Sequence, residues 1–166
     1  MVKSQDYEHY MRMALALAAE AARAGEIPVG CVVADGTGAV VGRGRNRREE
    51  TRCVTGHAEL EALESACRVR GDWRLADCTV FVTLEPCPMC AGALLNARLG
   101  ALVYGAREPV TGSAGSVLNL FAEGYPARTA VTGGVLREES EELLREFFEA
   151  RRSAPFRRRE LSPPGD

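Results

Sequence analysis

The sequence predicts an α/β fold in which a mixed sheet of about five strands is sandwiched between helices. Segments whose apolar residues recur at helical spacing alternate with short, β-branched apolar runs, and a tight-turn sequence joins two of those runs. The chain has 166 residues, of which 46% are hydrophobic, so one domain can bury a core without disulfides. We expect a single domain over residues 1–152 and a basic, flexible tail over residues 153–166.

The first half of the chain predicts a helix, a hairpin and a second helix. Apolar side chains recur at helical spacing between residues 7 and 21, and Gly25 follows as a stop signal. The strand-like runs "IPVGCVVAD" and "AVVGRG" are connected through the turn sequence "DGTG". The segment "HAELEALESACRV" again has helical spacing, which places His57 and Glu59 at or near its first turn.

The second half predicts three more strands and two more helices. The run "CTVFVTL" is typical of a buried strand, and the helix "MCAGALLNA" follows it, with Pro88 suited to the first helical position. "ALVYGA" is the next strand, and "RTAVTGGV" predicts a short edge strand after a glycine-rich loop. The last helix, "ESEELLREFFEARR", has apolar residues at helical spacing.

The composition indicates a cytoplasmic protein. No apolar run approaches the roughly 18 residues that a membrane span requires. The N-terminal segment mixes charged residues through its apolar positions and so lacks the uninterrupted core of a signal peptide. Without an export signal, the six cysteines should remain reduced thiols.

The charge is unevenly distributed along the chain. The formal net charge is −2, yet residues 43–52, "RGRNRREETR", and the C-terminal tail are rich in arginine. Basic segments on a near-neutral protein are typical of local contact with phosphates. The chain has twenty arginines and one lysine, however, so a general preference for arginine on solvated surfaces also accounts for them.

Three side chains in two motifs have the chemistry of a zinc site. Cys87 and Cys90 lie three positions apart at the start of one predicted helix, and His57 lies at the start of another. Two thiolates and one imidazole favour zinc, and three protein ligands leave the fourth tetrahedral position open for water.

Two alternative interpretations explain less of the sequence. A structural zinc site needs a fourth ligand, for which Cys53 is the candidate, but Cys53 lies in a loop and has no partner at matching spacing. The sequence "CPMC" also fits a thioredoxin-like redox pair at the start of a helix. That interpretation leaves the motif "GHAE" unexplained.

Glu59 favours a catalytic zinc. A water molecule on zinc is acidic near neutral pH, but attack on an sp² carbon also requires a proton to reach the departing group. A carboxylate two residues beyond a ligand can take the proton of the water and deliver it to the substrate. A lone Glu in a first helical turn would be explained by capping or by the helix dipole, but beside this ligand set we expect a catalytic role.

These motifs resemble a known family. "HAE" followed by "PCPMC" is similar to the H-x-E and P-C-x-x-C pattern of zinc-dependent nucleobase deaminases. The chain most resembles the bacterial tRNA-specific adenosine deaminases of the cytidine deaminase-like superfamily. The similarity includes "EIPVG", "GRNR", "HAELEAL", "RLADCTVFVTLEPCPMCAGAL", "ARLGALVYGAR", "TGSAGS" and "LLREFFEARR".

The resemblance implies a fold, a cofactor and a reaction. Residues 1–152 would form one CMP/dCMP deaminase-like zinc-binding domain with a three-layer α/β/α sandwich, and two such chains would form a homodimer with one Zn2+ per subunit. His57, Cys87 and Cys90 would hold the zinc, and Glu59 would move protons as C6 of adenine is attacked and ammonia leaves. The product would be inosine at the wobble position of an arginine tRNA.

The resemblance also implies a set of substrate contacts. Asn46 would hydrogen-bond the nucleoside, the wall of the pocket would contain Ile27, Pro28 and Val29, and Glu108 would contact the nucleotide before the target. The C-terminal helix would place further residues on the anticodon stem-loop, namely Phe148, Arg151 and Arg152. The sequence departs from the family at residues 53–56, "CVTG" in place of Asp-Pro-Thr-Ala, and at Glu108 in place of Asp.

Two other functions remain open from the residues alone. A deaminase of a free base or nucleoside, such as guanine or cytosine, can use the same zinc ligands and glutamate, but would not need a basic loop and tail. A zinc-stabilised RNA-binding module without catalysis would use the ligands and have no need of Glu59.

Overall fold

The computed structural model describes residues 2–126 and 128–153. The strands are β1 (Gly30–Ala34), β2 (Val40–Arg45), β3 (Thr79–Leu84), β4 (Ala101–Ala106) and β5 (Ala130–Gly133). The α-helices are α1 (Tyr7–Arg23), α2 (Arg48–Thr51), α3 (Ala58–Arg70), α4 (Pro88–Asn96) and α5 (Arg137–Ser153). Two short 3-10 turns lie at Ser4–Asp6 and Leu120–Ala122.

The strands form one mixed sheet of five strands in the order β2-β1-β3-β4-β5. β1 pairs antiparallel with β2 and with β3, whereas β3, β4 and β5 run parallel to one another. Helices α1 and α5 pack on one face of the sheet, and α3 and α4 pack on the other. The predicted mixed sheet between helices and the three-layer sandwich are confirmed.

Side-chain alternation along the central strands builds both cores. In β1, Cys31 and Val33 point into the cluster under α3 and α4, while Val32 packs with the cluster under α1. In β3, Phe81 likewise faces α1, where its ring stacks on Tyr10 with centroids 4.9 Å apart. Successive side chains of a strand point to opposite faces of the sheet. A strand covered by helices on both faces therefore has a continuous run of apolar residues in its sequence.

The ends of three strands lie together at one end of the sheet, where the candidate site is located. The parallel strands β3 and β4 both end there, at Leu84 and Ala106. β2 also ends there, because Arg45 pairs with Gly30 at the start of β1. Helices α3 and α4 both begin at this end of the sheet. The ends of the three strands and the starts of the two helices therefore lie close together.

The contact between β2 and α3 depends on two glycines. A Cβ placed on Gly42 would lie 2.3 Å from the Ala62 carbonyl oxygen, and one on Gly44 would lie 2.2 Å from the Ala58 carbonyl oxygen. Both distances are far below van der Waals contact with backbone atoms, so the helix can rest on this strand only because the strand lacks side chains there.

We expect Gly42→Ala to lower the free energy of unfolding by about 3 kcal/mol, because α3 must move away from the sheet to admit the methyl group. Urea unfolding followed by circular dichroism measures this difference. Gly92→Ala is the matched control, since its Cβ would meet nothing within 4 Å and a helical alanine adds up to about 1 kcal/mol. Equal unfolding midpoints for Gly42→Ala and the unaltered chain would contradict this account.

The structure differs from the prediction in the arginine-rich segment. This segment is predicted as a loop, but it contains the four-residue helix α2. Of the predicted tail over residues 153–166, all but Ser153 lies outside the described residues, and Ser153 itself ends α5.

Among the described helices, none combines the length and apolar character that crossing a membrane requires.

Candidate active site

The three predicted ligands lie at the starts of two neighbouring helices. His57 has extended backbone and immediately precedes α3. Cys87 likewise precedes α4, Pro88 occupies the first helical position, and Cys90 follows within the first turn. Free backbone N–H groups and the helix dipole favour negative charge at such positions, which suits thiolate ligands.

The ligand atoms have the spacing of a tetrahedral metal site. The Nδ1 atom of His57 lies 3.8 Å from the Sγ of Cys87 and 3.5 Å from the Sγ of Cys90. All three ligand atoms lie within 4.8 Å of one another. Zinc bonds of about 2.0 Å to nitrogen and 2.3 Å to sulfur require edges of about 3.6 Å in a tetrahedron. The group therefore fits a zinc ion, with three protein ligands.

The protonation of the ligands also favours a bound cation. A hydrogen bond from Cys90, with further support from His57, lowers the pKa of Cys87 to about 4. The hydrogen bond to Cys87 and burial raise the pKa of Cys90, and the hydrogen bond with Cys87 raises the pKa of His57. The lowered pKa of Cys87 favours a thiolate, which is the form that binds a metal, and metal binding would displace the protons of the other ligand atoms.

Glu59 lies in the first turn of α3, two residues beyond His57, and only 4% of it is exposed. Burial raises the pKa of its carboxyl group above the ordinary value, and the neighbouring thiolate of Cys87 acts in the same direction. A buried carboxyl group with a raised pKa beside a candidate metal site is suited to general acid–base catalysis.

Asn46 connects the end of β2 to the start of α3. Its backbone N–H donates to the Val29 carbonyl at 3.0 Å, and its side-chain Oδ1 accepts from the Ala58 N–H at 3.3 Å. The side chain is 8% exposed. Asn46 therefore has a structural contact at the helix that carries Glu59, in addition to its place on the wall of the site.

A cavity of about 530 Å³ opens above the ligand group. Nine of the predicted site residues line it, namely Ile27, Val29, Asn46, His57, Glu59, Cys87, Glu108, Phe148 and Arg151. Cys90 is fully buried beside the other ligands, and Pro28 is buried and does not line the cavity. Arg152 is exposed on α5 and does not line the cavity.

Comparison with known proteins identifies the family. The model of the MafB19-like deaminase family matches residues 5–152. A tRNA-specific adenosine deaminase of Bacillus subtilis is 40% identical over 157 residues, which cover 93% of this chain and 97% of the relative. The chain belongs to the tRNA-specific adenosine deaminase family.

Structural comparison agrees with this membership. A solved structure, described as a tRNA:A34 deaminase that edits A to I at the wobble position of transfer RNA, has a TM-score of 0.79 and 38% identity, with 82% of this chain and 99% of that chain covered.

A tRNA(Ile)-lysidine synthase of Deinococcus radiodurans is 52% identical over 138 residues, or 83% of this chain. The chain spans about a quarter of the length of that relative.

In this member of the family, the arginine-rich segment is less basic than its sequence indicates. The Glu50 carboxylate pairs with Arg45 at 2.9 Å and with Arg47 at 2.8 Å, and Arg47 also reaches Glu61 at 3.4 Å. The Glu50 backbone N–H donates to the buried Glu26 carboxylate at 2.8 Å. These contacts hold α2 at the rim of the cavity.

Sequence reasoning did not identify several residues of the cavity. Glu26, Arg48, Glu85 and Arg107 line it. A carboxylate directly before an apolar run, at Glu26, or directly after a buried strand, at Glu85, is the signal that would have found these two residues. Burial opposes ionisation of Glu85, but hydrogen bonds from Ser116, Glu108 and Ala114 lower its pKa below the ordinary value.

The alternative fourth ligand, Cys53, does not join the ligand group. It is exposed, and its Sγ lies 3.0 Å from the Thr55 hydroxyl. Among the described residues, the group that could hold a metal consists of His57, Cys87 and Cys90. All six cysteines are free thiols, including the "CPMC" pair.

Proposed function

We propose that the protein is a zinc-dependent hydrolytic deaminase that converts the wobble adenosine of an arginine tRNA to inosine and releases ammonia. The observation that carries this proposal is the buried carboxyl group of Glu59 beside the three-ligand group, at the base of a cavity of about 530 Å³. A site that only stabilised the fold would need neither the open cavity nor this carboxyl group.

His57, Cys87 and Cys90 would hold one zinc ion per chain. When bound, zinc supplies an acidic water molecule close to the substrate. Glu59 would accept a proton from that water as its oxygen bonds to C6 of adenine and the electron pair of the C6–N1 double bond moves to N1. Glu59 would then donate the proton to the amino nitrogen at C6, which leaves as ammonia while the C6–N1 double bond re-forms, and the remaining hydroxyl proton would move to N1 to give inosine. The raised pKa of Glu59 favours this second transfer.

The walls of the cavity support a nucleobase as the substrate. Ile27 and Val29 offer apolar contacts, while Asn46 adds an amide at the same wall. A base would enter this narrow space only after it is extruded from its stack, as expected for enzymes that react with a base of a folded nucleic acid. Pocket contacts of this mixed kind are typical of sites that orient a small planar ligand.

The rim supports an RNA substrate over a free base. Three exposed arginines, Arg48, Arg107 and Arg151, lie around the cavity, and Phe148 is 40% exposed beside them. Guanidinium groups suit phosphates, and exposed aromatic rings stack on unpaired bases. We propose that Arg151 and Arg152 contact the backbone of the anticodon stem-loop, with Glu108 near the nucleotide that precedes the target.

The proposal extends to the assembly and the cellular location of the protein. We expect the active species to be a homodimer, as the family resemblance implies, and light scattering of the purified protein measures its mass. We also expect it to work in the cytoplasm, where a reducing environment would keep its six free thiols available.

The proposal is tested by incubating the zinc-loaded protein with an arginine tRNA anticodon stem-loop that carries the wobble adenosine. Parallel samples contain free adenosine, guanine or cytosine, and a control stem-loop has its adenosine moved by one position. We expect inosine in the first stem-loop alone. Conversion of guanine or cytosine with the stem-loop unchanged would instead identify a deaminase of free bases.

A further inference from the structure

Glu85 is a buried carboxylate that the proposed chemistry does not use. It follows the last residue of β3 and precedes Cys87 by two positions, and it is only 2% exposed. A buried charge is costly unless hydrogen bonds compensate it. The location of those hydrogen bonds therefore indicates what the residue does.

Both oxygens of Glu85 accept hydrogen bonds from one loop. Oε1 accepts from the backbone N–H of Ala114 at 2.9 Å and of Ser116 at 3.0 Å. Oε2 accepts from the backbone N–H of Glu108 at 3.1 Å and also from the Ser116 hydroxyl. Because four donors converge on the carboxylate, an amide in its place would direct an N–H group at other N–H groups.

The loop that Glu85 binds, residues 107–116, forms one wall of the cavity and is called here the wall loop. Its residues Arg107, Glu108, Pro109, Val110 and Thr111 line the cavity. The loop winds closely around the carboxylate, since a Cβ on Gly112 would lie 2.7 Å from the Glu85 Cδ. The Ser113 N–H also donates to the Pro86 carbonyl at 2.9 Å, next to Cys87.

The two segments joined at Glu85 belong to different parts of the site. The segment from Glu85 to Cys87 carries a candidate metal ligand, whereas the wall loop carries Glu108, whose Oε1 accepts from the Val110 N–H at 2.8 Å. The Glu85 carboxylate accepts four of the hydrogen bonds that join them.

We propose that Glu85 is a positioning residue that holds the wall loop at a fixed distance from the ligand group and thereby sets the affinity for the RNA around the target base. This role rests on the proposed function. It acts through Glu108 and its neighbours, so it changes substrate binding and leaves the chemical step at Glu59 nearly unaltered.

The test compares Glu85→Gln with the unaltered, zinc-loaded chain. We expect the KM for the anticodon stem-loop to rise about 10-fold, because hydrogen bonds to a charged group are lost. We expect kcat to change less than about twofold, since the chemical groups stay in place. Hydrogen exchange should become faster at the amides of Glu108, Ala114 and Ser116, while the zinc content stays the same.

Two further variants complete the comparison. Ser116→Ala removes one hydroxyl donor and should raise KM less than Glu85→Gln, which keeps the test useful if Glu85→Gln does not fold. Asp77→Asn is the control, because Asp77 is a hydrogen-bonded carboxylate paired with Arg70 at 2.8 Å and does not line the cavity. It should leave KM and exchange in the wall loop unchanged.

The outcomes separate this inference from the proposed function. Binding of the stem-loop is also measured in a Glu59→Gln background, where we expect turnover to be at least about 10²-fold slower. Unchanged exchange in the wall loop, or faster exchange with unchanged affinity and KM, would overturn the positioning role. If the unaltered chain neither binds nor deaminates the stem-loop, the proposed function fails, and the RNA part of the inference fails with it.

Discussion

Glu59→Gln is expected to reduce base conversion by at least about 10²- to 10⁴-fold, the usual contribution of a positioned general acid–base group. Glutamine has nearly the same shape as glutamate, so the buried turn at the start of α3 can keep its packing. It cannot accept the proton of the attacking water or return it to the leaving group. The measurement is inosine formation in the stem-loop under single-turnover conditions.

The metal and the RNA should remain bound to Glu59→Gln, because Glu59 is not one of the three ligands. Metal analysis and fluorescence anisotropy of a labelled stem-loop measure both properties. Glu64→Gln is the matched control on the same helix, since Glu64 is exposed and pairs with Arg68 at 3.7 Å. Full turnover by Glu59→Gln would remove Glu59 from the mechanism. Stem-loop binding without turnover by the unaltered chain would instead favour an RNA-binding module.

Cys90→Ser is expected to abolish both metal retention and base conversion. Cys90 is fully buried, and its Sγ is one corner of the three-ligand group. A serine hydroxyl is a much poorer zinc ligand than a thiolate, so two ligands remain where three are required. Metal analysis after dialysis should give about one zinc per unaltered chain and almost none for the variant.

The same change should make thermal stability insensitive to a chelator. A metal that binds only the folded state stabilises it, by about 4 kcal/mol when present at a thousand times its dissociation constant. Chelation should therefore lower the Tm of the unaltered chain and leave that of Cys90→Ser in place. Cys53→Ser is the control and should behave like the unaltered chain. Loss of zinc from Cys53→Ser would show that Cys53 is a ligand after all.

Local patterns were sufficient for most of the fold and for the centre of the site. The continuous apolar run "CTVFVTL" predicts β3, and Pro88 indicates the start of α4, which the structure confirms. The ligand group could be predicted because each motif is short and its chemistry is specific. In both cases the relevant information lies within a few neighbouring residues.

Contacts between distant segments could not be predicted in the same way. The partners of Glu85 lie 23 to 31 positions further along the chain. The partner of Glu26, the N–H of Glu50, belongs to a four-residue helix that has no periodicity to detect. The arginines of residues 43–52 appear free in the sequence, but ion pairs with Glu50 and Glu61 are visible only after the chain has folded.

The separation of the ligands along the chain has a consequence for assembly. His57 and Cys87 are 30 positions apart and belong to segments on either side of β3. Their side chains meet only when β3 lies between β1 and β4, a pairing over a greater sequence separation than that of the β1–β2 hairpin. A metal ion held by both would act as a reversible cross-link that closes this loop, so its capture would mark the moment at which the central strand is in place.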